Sequence, residues 1–68
     1  MTIKVKIGES ELLLCLMEGY SRRIIEEQLS ERGRKFDALE HNYGGLRLKK
    51  GNTILWIPYH ALVFWTVT

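Results

Sequence analysis

The apolar stretch ILWIPYHALVFWTV, at residues 54–67, limits the fold of this chain more than any other feature. An apolar helix needs about 20 residues to cross a bilayer, and Pro58 and His60 interrupt this shorter run, so we expect no membrane span. Pro58 ends one predicted strand. After a turn at Tyr59 and His60, a last strand is predicted at Leu62–Val67. We therefore assign the stretch to a β-sheet.

The predicted last strand is apolar on both of its faces and needs cover on both. The short helices of a 68-residue chain can cover only one face of a sheet. We therefore expect a second copy of the chain to cover the other face, which makes the protein a homo-oligomer. The side chains expected at this interface are the large apolar ones of the last two strands: Trp56, Val63, Phe64, Trp65 and Val67.

The rest of the chain changes between the period of a strand and that of a helix. The predicted elements are a strand at Thr2–Ile7, helices at residues 11–18, 22–32 and 35–43, a hairpin of residues 46–50 with 53–57, and the last strand. A glycine follows each predicted helix. The apolar run at residues 12–17 also fits a buried strand, but its Leu and Met residues favour helix.

The composition predicts one domain over residues 1–68, because the chain has a single proline and no linker or low-complexity segment. The predicted fold class is α+β. Ten Lys and Arg residues against eight Asp and Glu residues give a formal charge of +2, which permits contact with phosphates without requiring it.

The compartment is predicted from the cysteine usage and from the first residues. Cys15 is the only cysteine and lies in an apolar run, so we expect a core residue, no internal disulfide and a reducing compartment. Residues 1–10 hold no apolar stretch of signal-peptide length. These features predict a cytoplasmic protein.

The stretch LLLCLMEGYSRRIIEEQLSERG, residues 12–33, resembles a helix-turn-helix: an apolar helix, a Glu-Gly-aromatic-Ser turn, and a helix with paired apolar residues. This resemblance implies a winged-helix-like domain whose recognition helix, residues 22–32, enters the DNA major groove. In an alternative arrangement residues 35–43 enter the groove, although Asp37 and Glu40 would then face phosphates. The resemblance implies a transcriptional regulator that binds DNA in preference to RNA.

Basic residues in this segment and at the hairpin tip, which would act as a wing, are the predicted phosphate contacts. The candidates are Arg22, Arg23, Arg32, Arg34, Lys35, Lys49 and Lys50. An alternative interpretation is that these are solvated charges, with Arg22–Glu26 and Arg23–Glu27 paired within the helix.

Two further stretches resemble known families. TIKVKI resembles the strand of ribbon-helix-helix repressors, which implies Thr2, Lys4 and Lys6 as groove readers, although a plain strand explains the same alternation. NTILWIPYHALVFWTV is similar to the last two strands of Sm-like proteins, whose rings bind single-stranded RNA at subunit junctions near the positions of Tyr59 and His60. The latter resemblance gives an Sm-like β-barrel as the alternative fold and an RNA-binding ring as an alternative function.

No pattern predicts catalysis. His41 and His60 are the only histidines, and neither stands in a spacing such as H-E-x-x-H. The stretch YGGL, at residues 43–46, lacks the spacing and the lysine of a phosphate-binding loop. We therefore expect no enzyme, no metal and no cofactor. The predicted function is nucleic-acid binding, and the alternative is a homo-oligomeric assembly subunit that docks a partner protein through its apolar sheet face.

Overall fold

A computed structural model describes residues 2–68, with the backbone alone at Tyr20 and Ser21. These residues form seven β-strands, one α-helix and one 3-10 turn. The elements are β1 (Thr2–Ile7), β2 (Ser10–Leu16), α1 (Tyr20–Glu31), β3 (Lys35–Phe36), β4 (Ala38–His41), β5 (Gly45–Lys50), β6 (Thr53–Pro58), the 3-10 turn (Tyr59–Ala61) and β7 (Leu62–Val67). No helix in this part of the chain is long and apolar enough to cross a membrane.

The strands form two sheets, in the orders β3-β1-β2-β7 and β4-β5-β6. β1 pairs with β3 in parallel, and the other neighbouring strands pair antiparallel. Asp37 alone separates β3 from β4, so this segment passes from one sheet to the other, and the 3-10 turn links β6 to β7. Both sheets and α1 contribute to one apolar core. Its largest fully buried side chains are Val5, Leu12, Leu14, Leu16, Leu29, Leu46, Leu48 and Ile57.

The predicted α+β, winged-helix-like class is wrong, because the described residues are mostly β-strand and hold a single α-helix. The alternative Sm-like barrel is not formed either: the strands lie in two separate sheets, and α1 stands inside the chain between β2 and β3. The strand at Thr2–Ile7, the second predicted helix, the hairpin and the strand at Leu62–Val67 are confirmed within one or two residues.

The first predicted helix is in fact β2. Leu12, Leu14 and Leu16 are buried, whereas the residues between them, Leu13 and Cys15, are half-buried, which is the period of a strand. β2 lies between β1 and β7, and this central place covers or partly covers each apolar residue from Leu12 to Leu16, whereas Met17 follows the strand and is exposed. Packing therefore overrides the helix propensity of the leucines. Cys15 lies outside the core for the same reason.

The third predicted helix is replaced by β3 and β4. The backbone N–H of Asp37, between these strands, donates to the carbonyl oxygen of Lys49 at 2.7 Å. The carboxylate of Asp37 accepts from the backbone N–H of Gly51 at 2.8 Å. These two bonds to the β5–β6 hairpin hold the chain around Asp37 in an extended conformation. They join residues that are distant in sequence, so the helical spacing within residues 35–43 could not reveal them.

Candidate nucleic-acid interface

The basic residues predicted to bind phosphate divide into two groups. In the first group each side chain pairs with a carboxylate: Arg22 with Glu26 and Arg23 with Glu27, both at 3.3 Å, and Lys49 with Glu40. Both of the first two pairs are intrahelical, as the interpretation as solvated charges expects, but only Arg23–Glu27 is solvated, because Arg22 Nε and Glu26 Oε1 are buried. A phosphate would have to compete with these carboxylates for the cations.

The Lys49–Glu40 pair affects the pKa of Glu40. The Lys49 ammonium donates a hydrogen bond to the Glu40 carboxylate and, with its charge, lowers the pKa of that carboxyl below 4.5. The charge of Arg47 lowers the pKa further, by a smaller amount. Glu40 therefore faces both cations from β4, on the outer surface of the β4-β5-β6 sheet.

The second group gathers at the carboxyl end of α1. Lys50 Nζ donates to the carbonyl oxygen of Arg32 at 2.9 Å, and Arg32 Nη1 donates to the carbonyl oxygen of Gln28 at 3.0 Å. Arg34 and Lys35 follow directly in the chain. Cations are favoured here because the last turn of a helix leaves carbonyl oxygens without backbone partners.

β1 adds a further lysine to this group. Lys6 lies beside Lys35 in the parallel pairing of β1 with β3, and its backbone N–H donates to the carbonyl oxygen of Arg34 at 2.9 Å. We call Lys6, Arg32, Arg34, Lys35 and Lys50 the basic cluster. Among residues 2–68, ion pairs shorter than 4.0 Å do not include any of the five.

Lys6 was not among the predicted phosphate contacts, because the pairing that brings it to Lys35 requires β3, which was predicted as helix. Its cross-strand neighbour on the other side is Glu11, which marks the edge of the cluster. Arg34 has a positive φ of 54°, a left-handed conformation that is uncommon for a residue with a Cβ. Its conformation is fixed by a hydrogen bond from its N–H to the Leu29 carbonyl oxygen at 2.9 Å.

The helix-turn-helix resemblance required two helices over residues 12–33. The first part of that stretch belongs to β2, and α1 is the single α-helix among the described residues. β1, the strand compared with ribbon-helix-helix repressors, lies inside its own sheet between β3 and β2. Tyr59 and His60 lie in the 3-10 turn between β6 and β7.

The predicted interface residues lie on and near the strands that end the two sheets. Trp56, Val63, Phe64 and Val67 are all between two-fifths and two-thirds exposed. Trp65 is half-buried, with its ring centroid 5.4 Å from that of His41. The exposed apolar surface that the sequence predicted is therefore present on the single chain.

Within the described residues no three His, Cys, Asp or Glu side chains are close enough to hold a metal ion together, and no pocket is found. The chain matches no family model, no curated protein and no solved structure among those compared with it.

Proposed function

We propose that this protein binds nucleic acid, with the basic cluster in contact with the phosphate backbone. The observation that carries the proposal is that strand pairing and hydrogen bonds bring five cations from four parts of the chain to the region around the end of α1, while the other predicted cations pair with carboxylates. Such a surface attracts phosphates and releases their counterions. The expected cytoplasmic location is part of the proposal, since nucleic acid is found there.

The proposal does not use helix-turn-helix docking, because α1 has no helical partner in the described residues. A role in transcriptional control therefore does not follow from the fold. DNA and RNA share the phosphate chemistry that the cluster would recognise, so both are arms of the experiment.

The test is fluorescence anisotropy with mixed-sequence DNA and RNA of equal length at several salt concentrations. The cluster variant combines Arg34→Gly with Lys35→Ala, and the control combines Arg22→Gln with Arg23→Ala, two cations that pair with carboxylates on α1. Each removes two positive charges, and Arg34→Gly suits the positive φ, so the fold is retained.

We expect the cluster variant to bind at least tenfold more weakly than the control. Its slope of log K against log salt should fall by about 1.4–1.8, since each phosphate contact contributes about 0.7–0.9. Equal losses in the two variants would mean that net charge alone matters. Either that result or a parent that binds neither nucleic acid refutes the proposal.

A second candidate function, homo-oligomeric assembly, is favoured by the edges of the sheets. β6 (TILWIP) and β7 (LVFWTV) end their sheets and contain no charged residue. Charged side chains are a common protection of edge strands against pairing with another chain. We propose that these edges associate with a second copy, and docking of a different protein is the other outcome.

Light scattering tests the assembly. The parent should exceed the 8.0 kDa of one chain at micromolar concentration, and Ile54→Lys on β6 or Val63→Lys on β7 should reduce the mass to that value. Ile24→Lys is the matched control, because Ile24 is equally exposed but lies on α1. A parent of one chain mass contradicts self-association.

A further inference from the structure

We propose that Trp56 is a stacking platform for an unpaired nucleobase, flanked by Arg47 and Tyr43, so that single-stranded nucleic acid is the preferred ligand. The inference builds on the proposed function and names its substrate class. It depends on three features: the exposure of the indole, the fixed loop beside it, and the cation directly across the strand pair from it.

The indole is held on the surface by the register of β6. Its neighbours Leu55 and Ile57 are buried in the core, whereas Trp56, which points to the opposite side of the strand, is 51% exposed. A Cβ placed on Gly44 would lie 3.6 Å from Cζ2 of Trp56, so the ring lies along glycine backbone. The exposed part of Trp56 is available to a flat ligand.

The loop between β4 and β5 is fixed beside this ring. The Asn42 Oδ1 accepts from the backbone N–H groups of Gly44, at 2.8 Å, and Gly45, at 3.2 Å. The carbonyl oxygen of Gly44 accepts from the N–H of Tyr59 at 3.2 Å. Tyr43, next to Gly44 in the chain, is fully exposed. A second aromatic ring therefore lies on a loop that is already ordered, so ligand binding does not lose the conformational entropy of ordering that loop.

The cation beside the platform is Arg47. It is the cross-strand partner of Trp56, and directly opposite residues of an antiparallel pair have Cβ atoms about 4.5–5.5 Å apart. On its other side is Glu40, which is already hydrogen-bonded to Lys49. The Arg47 guanidinium can therefore contact a phosphate next to a base that stacks on the indole.

β5 connects the platform to the basic cluster. From Arg47 to Lys50 the strand advances three residues, which is about 10 Å, and Lys50 contacts the end of α1. Side chains alternate along a strand, so Lys50 lies on the side of β5 opposite to Arg47, and a single strand that stacks a base on Trp56 beside Arg47 reaches the cluster only by passing around the tip of β5. Duplex bases are stacked on each other and cannot offer a free face, so this arrangement favours unpaired strands.

The two tryptophans allow a direct test. Trp65→Phe retains Trp56 as the fluorescent reporter, and Trp56→Phe retains Trp65, whose ring is tilted by 49° against that of His41. Each protein is titrated with oligo(dT), with an abasic deoxyribose-phosphate strand of the same length, and with duplex DNA. Affinities of the parent and of Trp56→Ala are measured by anisotropy with the same three ligands.

We expect oligo(dT) to quench the fluorescence of Trp65→Phe and not that of Trp56→Phe. Trp56→Ala should weaken oligo(dT) binding about 5- to 150-fold, the range for one stacked base, and leave binding of the abasic strand unchanged. Oligo(dT) and abasic strands that bind the parent equally overturn the platform but leave the proposed phosphate contacts standing. If the parent binds neither the oligo(dT) strand nor the abasic strand, the platform and the proposed phosphate contacts are both overturned. Trp56 fluorescence that depends on protein concentration without any ligand assigns the indole to contact with a second copy and also overturns the platform.

Discussion

The start of β5 provides the strictest test of how the β4-β5-β6 sheet is packed. A Cβ on Gly45 would overlap the carbonyl oxygen of Ile57 and lie 2.8 Å from Cα of Pro58 on the neighbouring strand. Carbon atoms in contact are normally about 3.5–4.0 Å apart. Gly45→Ala therefore forces these backbones apart by about 0.7–1.2 Å, and no change of rotamer relieves the overlap.

Overpacking of this kind costs about 1–3 kcal/mol, and a clash with backbone belongs at the upper end. A chain of this length has about 3–10 kcal/mol of total stability. At about 4–8 °C per kcal/mol, a loss of about 3 kcal/mol lowers the melting temperature by about 12–24 °C. Thermal unfolding followed by circular dichroism measures this shift, and urea unfolding gives the free energy.

The matched control is Gly44→Ala at the adjacent position. Its Cβ would meet Asn42 Oδ1 at 3.5 Å and Trp56 Cζ2 at 3.6 Å, which are ordinary contacts. We expect a change within about 0.5 kcal/mol for this control. If the two variants unfold within about 1 kcal/mol of each other, β5 and β6 are not in the close contact on which this reasoning depends.

Three other changes test separate parts of the fold. Leu14→Ala should cost about 3–5 kcal/mol in urea unfolding, since Leu14 is fully buried in the centre of its sheet; a cost under about 1 kcal/mol would place β2 elsewhere. Because Lys49 lowers the pKa of Glu40 in the folded protein, their interaction stabilises above pH 4.5 and is lost as pH falls through the lowered value. Lys49→Met should return that pKa towards 4.5 in an NMR titration, and an unchanged pKa would contradict the pairing. Arg23→Ala removes an exposed pair with Glu27 and should cost at most about 0.5 kcal/mol, so a larger loss would show that the pair is not merely at the surface.

The elements that sequence reasoning predicted correctly are those whose period is decided locally. β1 alternates cleanly because one of its faces is buried, and the hairpin has a glycine at its turn. α1 keeps Ile25 and Leu29 on one buried face. In each case the pattern of buried and exposed positions lies within one short segment.

β2 could not be predicted in that way, because its pattern depends on a distant neighbour. Leu14 pairs with Ile3 on one side and with Trp65 on the other, and the second partner is far along the chain. The third predicted helix failed similarly. Its helical spacing would put Tyr43 in the core with Phe36, whereas Phe36 is buried and Tyr43 is fully exposed.

Sequence reasoning predicted only part of the candidate site, because some of its residues are neighbours in sequence and others are brought together by strand pairing or a hydrogen bond. Arg32, Arg34 and Lys35 are consecutive or nearly so, and their grouping needs only the end of α1. Lys6 and Lys50 join them through strand pairing and through a hydrogen bond between residues distant in sequence. Trp56 was predicted as an interface residue from its apolar character, and its position opposite Arg47 requires the register of the hairpin.

The net charge of this chain is a poor guide to its surface, and the fold explains why. A formal charge of +2 is too small to distinguish a nucleic-acid-binding protein from any other. Glu26, Glu27 and Glu40 neutralise cations on α1 and on the outer face of β5, whereas the cluster at the end of α1 has no carboxylate pairs in the described residues. The paired cations and the basic cluster are separated because the chain bends at Asp37. That bend sets β3 beside β1 and the β5 tip beside α1. The grouping of the cations in the basic cluster therefore depends on tertiary structure, and loss of the Asp37 bend should disperse it without any change in composition.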